Sequence, residues 1–296
     1  MKKCLFTGVA TALATPFNDS GVNVPEFQKF INFQIDSGID ALVVCGTTGE
    51  ASTMTQEEKI QAIDCAVSTA NKRVPIIVGT GSNDTTTAII NSILAEELGA
   101  DGLLVVTPYY NKTTQAGLIE HFKTIASSVS IPIILYNVPS RTGMNISPET
   151  CLELSKVDNI VGIKEASGNI SQVAKIARLC GSDFAIYSGN DDQIVPVLSL
   201  GGKGVISVVS NVKPKLTCSI TNSFFQNATD EACAYQLHEL PLIDALFAET
   251  NPIPVKAAIN MLGFDFGEPR LPLVECSSIL KDTIKKYLNT SCCHFM

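Results

Sequence analysis

Tryptophan is absent, and histidine occurs only at positions 121, 238 and 294. The chain holds no H-E-x-x-H and no G-x-S-x-G, so metal-assisted hydrolysis and a Ser-His triad both lack their parts. Nucleotide signatures are missing as well. GTGSND, from Gly79, fails the third glycine of G-x-G-x-x-G, and the GGK beginning at Gly201 lacks the Walker spacing. Positive charge is scarce: 21 Lys and Arg stand against 29 Asp and Glu, a net charge of −8, with no basic run. Such a field repels polyanions, which excludes nucleic acid and membrane surfaces as electrostatic partners and leaves any anionic substrate to a few local cations. No apolar run is long enough to cross a membrane.

Cysteine is plentiful, at 10 residues, yet no C-x-x-C occurs and the spacings are irregular. Reduced thiols in a cytoplasm account for them more simply than a disulfide framework does. Cys292, Cys293 and His294 invite a metal reading, but a frayed terminus explains them better, and no metal is expected. The opening MKKCLFTGVATALATPF imitates a secretory signal. Thr7, Gly8 and Thr11 interrupt its apolar stretch, and the segment is needed as a first strand.

Eight short apolar runs alternate with amphipathic segments: LFTGVATAL, ALVVCGT, PIIVGTG, GLLVVTP, PIILYNV, IVGIKEA, FAIYSGN and GVISVVS. A faint repeat runs through SGIDALVVCGTT, LGADGLLVVTPYY and LGGKGVISVVSN, each a helix-ending Gly, a loop and a buried strand. Alternation of this kind predicts βα units with a parallel sheet. Thr55 to Glu58 reads as a capping box ahead of Ile60, Ile63 and Val67, Ser147-Pro148 as a helix start, and Phe27, Phe30, Ile31 and Ile35 as a one-sided stripe. Eight units close into an α/β (β/α)8 TIM barrel over residues 1–225, followed by a small C-terminal helical domain over 226–296 with helices near 231–247, 254–262 and 275–288.

Barrels of this class work at the C-terminal ends of their strands. There the chain carries GTTGE (46–50), TPYYN (107–111), YNVPSRTG (136–143), KEASGN (164–169) and SGNDD (188–192). Lys164 ends a buried strand. Burial disfavours an ammonium and favours the free amine, which attacks carbonyls to form a Schiff base; a lysine that snorkels to the rim or pairs with Glu165 is the competing account. Tyr136 ends the preceding strand, within one strand spacing of Lys164, where a phenol bonded to Thr47 could move protons. GTTGE offers backbone N–H groups and two hydroxyls for a carboxylate. Arg141 offers a guanidinium to a carboxylate, or else an ordinary loop salt bridge. Gly201 and Gly202 precede the eighth strand, so the usual barrel phosphate cup is unsupported.

Taken together, GTTGE, TPYYNK (107–112), YNVPSRTG, GIKEASGN (162–169), SGND (188–191) and NPIPVKAA (251–258) resemble the pyruvate-dependent class I aldolase-like barrels, and among them the dihydrodipicolinate synthase family, over nearly the whole chain. The resemblance implies that Lys164 condenses with pyruvate, with no cofactor beyond that covalent Schiff base. It implies a proton relay of Tyr136, Thr47 and Tyr110, the last reaching into a partner's site across a dimer interface. Thr48 would hold the pyruvate carboxylate, Arg141 the carboxylate of L-aspartate 4-semialdehyde, and Gly189, Asn190 and the Ile206 carbonyl would line the pocket. It further implies a cytoplasmic homotetramer, a dimer of dimers, in lysine and diaminopimelate biosynthesis. An N-acetylneuraminate lyase or a 2-keto-3-deoxy-sugar-acid aldolase on the same barrel is the alternative, and Arg141 with GTTGE argues against it. Relatives that bind lysine as an inhibitor use positions that correspond here to Gln56, Lys59 and Thr87, which predicts weak feedback.

Overall fold

The computed structural model describes residue 2 and residues 4–288, so Cys292, Cys293 and His294 lie outside the described residues. Eight strands form the predicted barrel: β1 (Gly8–Ala12), β2 (Ala41–Val44), β3 (Ile76–Gly79), β4 (Gly102–Val106), β5 (Ile133–Asn137), β6 (Ile160–Glu165), β7 (Ala185–Ser188) and β8 (Gly204–Ser207). Each pairs in parallel with its neighbours, and β1 closes the ring against β8. Their residues are buried almost without exception, as parallel strands covered on one side by helices and filled on the other require.

One helix follows each strand: α1 (Val24–Asp36), α2 (Gln56–Ala70), α3 (Thr85–Glu97), α4 (Gln115–Ser127), α5 (Pro148–Leu154), α6 (Ile170–Cys180), α7 (Ile194–Ser199) and α8 (Pro214–Phe225). Local chemistry sets their starts. At α2 both halves of the capping box form between Thr55 and Glu58, and Asp84, Thr114, Ser147 and Asn169 cap α3 to α6 by accepting a backbone N–H three residues on. The α1 stripe differs from expectation in one place. Gln34 is fully buried where Ile35 is only half-buried, because the Gln34 amide accepts from Thr11 Oγ1 at 2.9 Å and donates to the Asn211 carbonyl at 3.2 Å, tying α1 to both β1 and the β8 exit.

Beyond α8 come α9 (Thr229–Phe247), α10 (Ile253–Met261) and α11 (Ser278–Leu288), the helical segment anticipated from sequence. The core has two layers. Strand and helix residues such as Leu42, Leu103, Leu135 and Ile163 meet outside the barrel wall, while Ala10, Val43, Ile77, Leu104, Ile134, Tyr187 and Ile206 fill its interior. Phe6 stacks on Tyr187 with ring centroids 4.3 Å apart, and the Tyr187 hydroxyl donates to the Phe6 carbonyl, so the barrel is shut from below.

Candidate active site

A β-bulge sets the direction of Lys164. Ile133 pairs with Ile160 but Ile134 pairs with Gly162, leaving Val161 as an extra residue in β6. Val161 joins the interior cluster, Ile163 packs outside, and Lys164 turns inward. Strict alternation from Ile160 with no bulge would aim Lys164 at the helices. The lysine is 5% exposed, opposite Tyr136 in register, with Nζ 4.5 Å from the ring centroid.

Both structural alternatives for Lys164 fail here. It does not snorkel, and Glu165 points to the other face of β6, where its carboxylate accepts from Asn137 Nδ2 at 2.9 Å, Gln172 Nε2 at 3.1 Å and the Ser167 N–H at 2.8 Å. Among the described residues Lys164 forms no ion pair.

The GTTGE turn is built from both ends of the chain. Gly49 N–H donates to the Gly46 carbonyl and Glu50 N–H to the Thr47 carbonyl, each at 3.1 Å, while Thr15 Oγ1 holds the Gly49 carbonyl at 2.9 Å. Glu50 adopts a left-handed φ of 57°, a conformation that needs outside support in a non-glycine residue. That support is a buried ion pair: Lys256 Nζ of α10 lies 2.9 Å from Glu50 Oε1 with both side chains wholly buried, and the Arg270 N–H donates to Glu50 Oε2 at 2.8 Å. Burial pulls the Lys256 pKa below its ordinary value, and the Glu50 carboxylate opposes that shift. Thr48, 3% exposed, receives a hydrogen bond at Oγ1 from Asn251 Nδ2 at 3.0 Å.

These groups open on a cavity of about 190 Å³ at the C-terminal end of the barrel. Ala12, Val43 and Leu104 form its floor, and Thr47, Thr48, Tyr136, Arg141, Lys164, Gly189 and Asn190 its wall. Gly189 is needed for close approach, since a Cβ there would stand 2.5 Å from the Ala166 methyl. Arg141 lies on the single helical turn Pro139–Thr142, exposed at the mouth, and Nη2 donates to the Asn251 carbonyl at 3.3 Å. No carboxylate pairs with Arg141 among the described residues, so the loop salt bridge does not form.

Two expectations are met differently. The Tyr136 phenol forms no hydrogen bond to Thr47, although both line the cavity. Ile206 is fully buried within β8, and Val208 is the residue of that strand's exit that reaches the cavity; Asp191 fixes it by accepting the Val208 and Val209 N–H groups at 2.9 and 3.1 Å. Tyr110 stands outside the cavity, 85% exposed, with a left-handed φ of 69°. Sequence reasoning missed Asn251 and Phe247, which also line the cavity. NPIPVKAA is the one signal that could have pointed to Asn251. A more open depression of about 430 Å³, lined by Met261, Leu262, Lys281, Asp282, Lys285 and Leu288, shares no residue with this cavity.

The model of the dihydrodipicolinate synthetase family matches residues 5–291. The chain belongs to that family. It is 54% identical over 291 residues to the 4-hydroxy-tetrahydrodipicolinate synthase of Acetivibrio thermocellus, covering 97% of this chain and 99% of the relative. The crystal structure of dihydrodipicolinate synthase from Thermotoga maritima superposes with a TM-score of 0.95 at 42% identity, over 96% of this chain and 98% of that one. A structure described as the first monomeric dihydrodipicolinate synthase variant gives a TM-score of 0.94 at 42% identity, over 96% of each chain. The family match thus takes in the barrel, the GTTGE turn and the helical segment that supports it.

Proposed function

We propose that this protein condenses pyruvate with L-aspartate 4-semialdehyde through a Schiff base on Lys164, giving 4-hydroxy-tetrahydrodipicolinate. The observation that carries the reading is the inward Lys164, buried against Tyr136, in a small cavity whose mouth holds an unpaired Arg141. The Nζ lone pair adds to the ketone carbon of pyruvate, and loss of water leaves an imine. The Thr48 hydroxyl, which already accepts from Asn251, is free to donate to the pyruvate carboxylate. Removal of a methyl proton gives an enamine, whose carbon attacks the aldehyde carbon while the new alkoxide takes a proton. The substrate's own amino group then attacks the imine carbon, closes the ring and releases Lys164. Tyr136 carries the protons, with Thr47 and a partner's Tyr110 completing the relay, and Arg141 anchors the aldehyde's carboxylate so that a bimolecular encounter becomes a positioned one.

Assembly as a homotetramer of two tight dimers and a cytoplasmic location belong to the same reading. Among the described residues no helix is long and apolar enough to cross a membrane. Sugar-acid cleavage is disfavoured, because Arg141 at the mouth of a small cavity suits the carboxylate of a short aldehyde. The test compares turnover of pyruvate with L-aspartate 4-semialdehyde against cleavage of N-acetylneuraminate and of 2-keto-3-deoxygluconate. A kcat/KM for condensation several orders of magnitude above the cleavages is the expected result; a preferred sugar acid would overturn the reading.

A further inference from the structure

Asn251 has one polar atom that the fold does not use. Only 5% exposed, it precedes α10 and lines the cavity beside Thr48, Arg141 and Phe247. Nδ2 donates to Thr48 Oγ1, the backbone carbonyl accepts from Arg141 Nη2, and Oδ1 has no hydrogen-bond partner among the described residues. A buried acceptor left unpaired is costly, and native proteins keep few of them without a use.

The polarity of this arrangement is informative. Lys164 and Arg141 are the two charged side chains in the cavity wall, and no carboxylate lines it. A cationic group entering with the substrate therefore has to be received by dipoles. Nδ2 is turned toward Thr48, so the amide can offer Oδ1 only as an acceptor. Arg141 is bonded to the same residue through its main chain. One residue thus places an anion-binding guanidinium next to a free acceptor oxygen.

We propose that Asn251 determines acceptor specificity by taking the α-ammonium group of the aldehyde at Oδ1, while Arg141 takes the α-carboxylate carried by the same carbon. The assignment rests on the condensation reading above. It accounts for selection of an α-amino aldehyde over an otherwise identical aldehyde that lacks the amino group.

The test uses succinate semialdehyde, which keeps the carboxylate and lacks the ammonium. The KM for L-aspartate 4-semialdehyde and the inhibition constant of succinate semialdehyde are measured in the wild type, Asn251→Ala and Asn251→Asp. Both constants are independent of the fraction of active enzyme, so a partly folded variant still reports. Borohydride trapping of the pyruvyl adduct on Lys164 confirms that each variant retains a working site. Asn251→Ala is expected to weaken the aminated aldehyde roughly tenfold or more and succinate semialdehyde less than about threefold. Asn251→Asp is expected to shift the ratio the other way, because a carboxylate holds an ammonium better than an amide does. Equal losses for both aldehydes, or a ratio unmoved in both variants, would reduce Asn251 to a support for Thr48 and Arg141 and overturn the assignment alone. A wild type that ignores L-aspartate 4-semialdehyde overturns the condensation reading, and the assignment falls with it.

Discussion

Glu239 of α9 is 3% exposed with Oε2 unpartnered, and burial, reinforced by Asp191 and opposed by Lys213, pushes its pKa from 4.5 up to about 7. The folded state therefore keeps a proton that the unfolded chain has lost between those values. Stability falls as pH rises through that window and levels off above it, by an amount of about 3 kcal/mol at most. Glu239→Gln removes the titration, so its melting temperature should gain on the wild type between pH 5 and 8; parallel profiles would refute the assignment of that slope to Glu239. Arg141 yields a different signature. Arg141→Leu should lower kcat/KM for the aldehyde about a hundredfold or more while leaving borohydride trapping of pyruvate intact, because in the proposed reading the guanidinium anchors the carboxylate of the second substrate. Lys164, Tyr136 and Arg141 were legible because each sits in or just after an apolar run, where a barrel places its chemistry. Asn251 was not, since its meaning comes from Thr48 and Arg141, more than a hundred residues away along the chain.

The strands and helices were legible from their alternation, capping residues and glycine punctuation. The bulge in β6 was not, because IVGIKE reads as one apolar run and only pairing with β5 reveals Val161 as the extra residue. Nor could periodicity reveal that α10 braces the GTTGE turn. Lys256→Met leaves the buried Glu50 charge without its ion-pair partner, a loss of roughly 3–5 kcal/mol, whereas the double change Glu50→Gln with Lys256→Met should recover most of it. Denaturant midpoints of the wild type and the two variants decide this, and a double variant no better than the single one would show that packing outweighs the charge. At the helix starts, Thr87 is engaged with Asp84, which accepts its N–H at 2.7 Å and its hydroxyl at 2.6 Å, and Lys59 adds positive charge on α2. An incoming lysine meets a cation there and an occupied hydroxyl. Millimolar L-lysine should leave turnover within about twofold; strong inhibition below a millimolar would contradict it.

At the scale of the whole molecule, the net charge of −8 contributes nothing to capturing anionic pyruvate or the carboxylate of a zwitterionic aldehyde, and the cavity concentrates what attraction there is into Lys164 and Arg141. The C-terminal helical segment is tied to the barrel. Its Lys256 and Asn251 reach the turn that holds Thr48, and Arg270 pairs with Glu58 of the α2 capping box at 2.6 Å. The stacked pair of Phe6 and Tyr187 has a kinetic consequence. A barrel stoppered at its base is a cul-de-sac, and two molecules that must share it queue at a single door. Pyruvate has to pass Arg141 to reach the amine, and its carbonyl oxygen has to leave as water by the same route before an aldehyde can take the outer berth. An unreactive analogue of the aldehyde should therefore inhibit uncompetitively against pyruvate, with the deeper guest always admitted first, and noncompetitive inhibition against pyruvate would mean that the second guest can enter without the first.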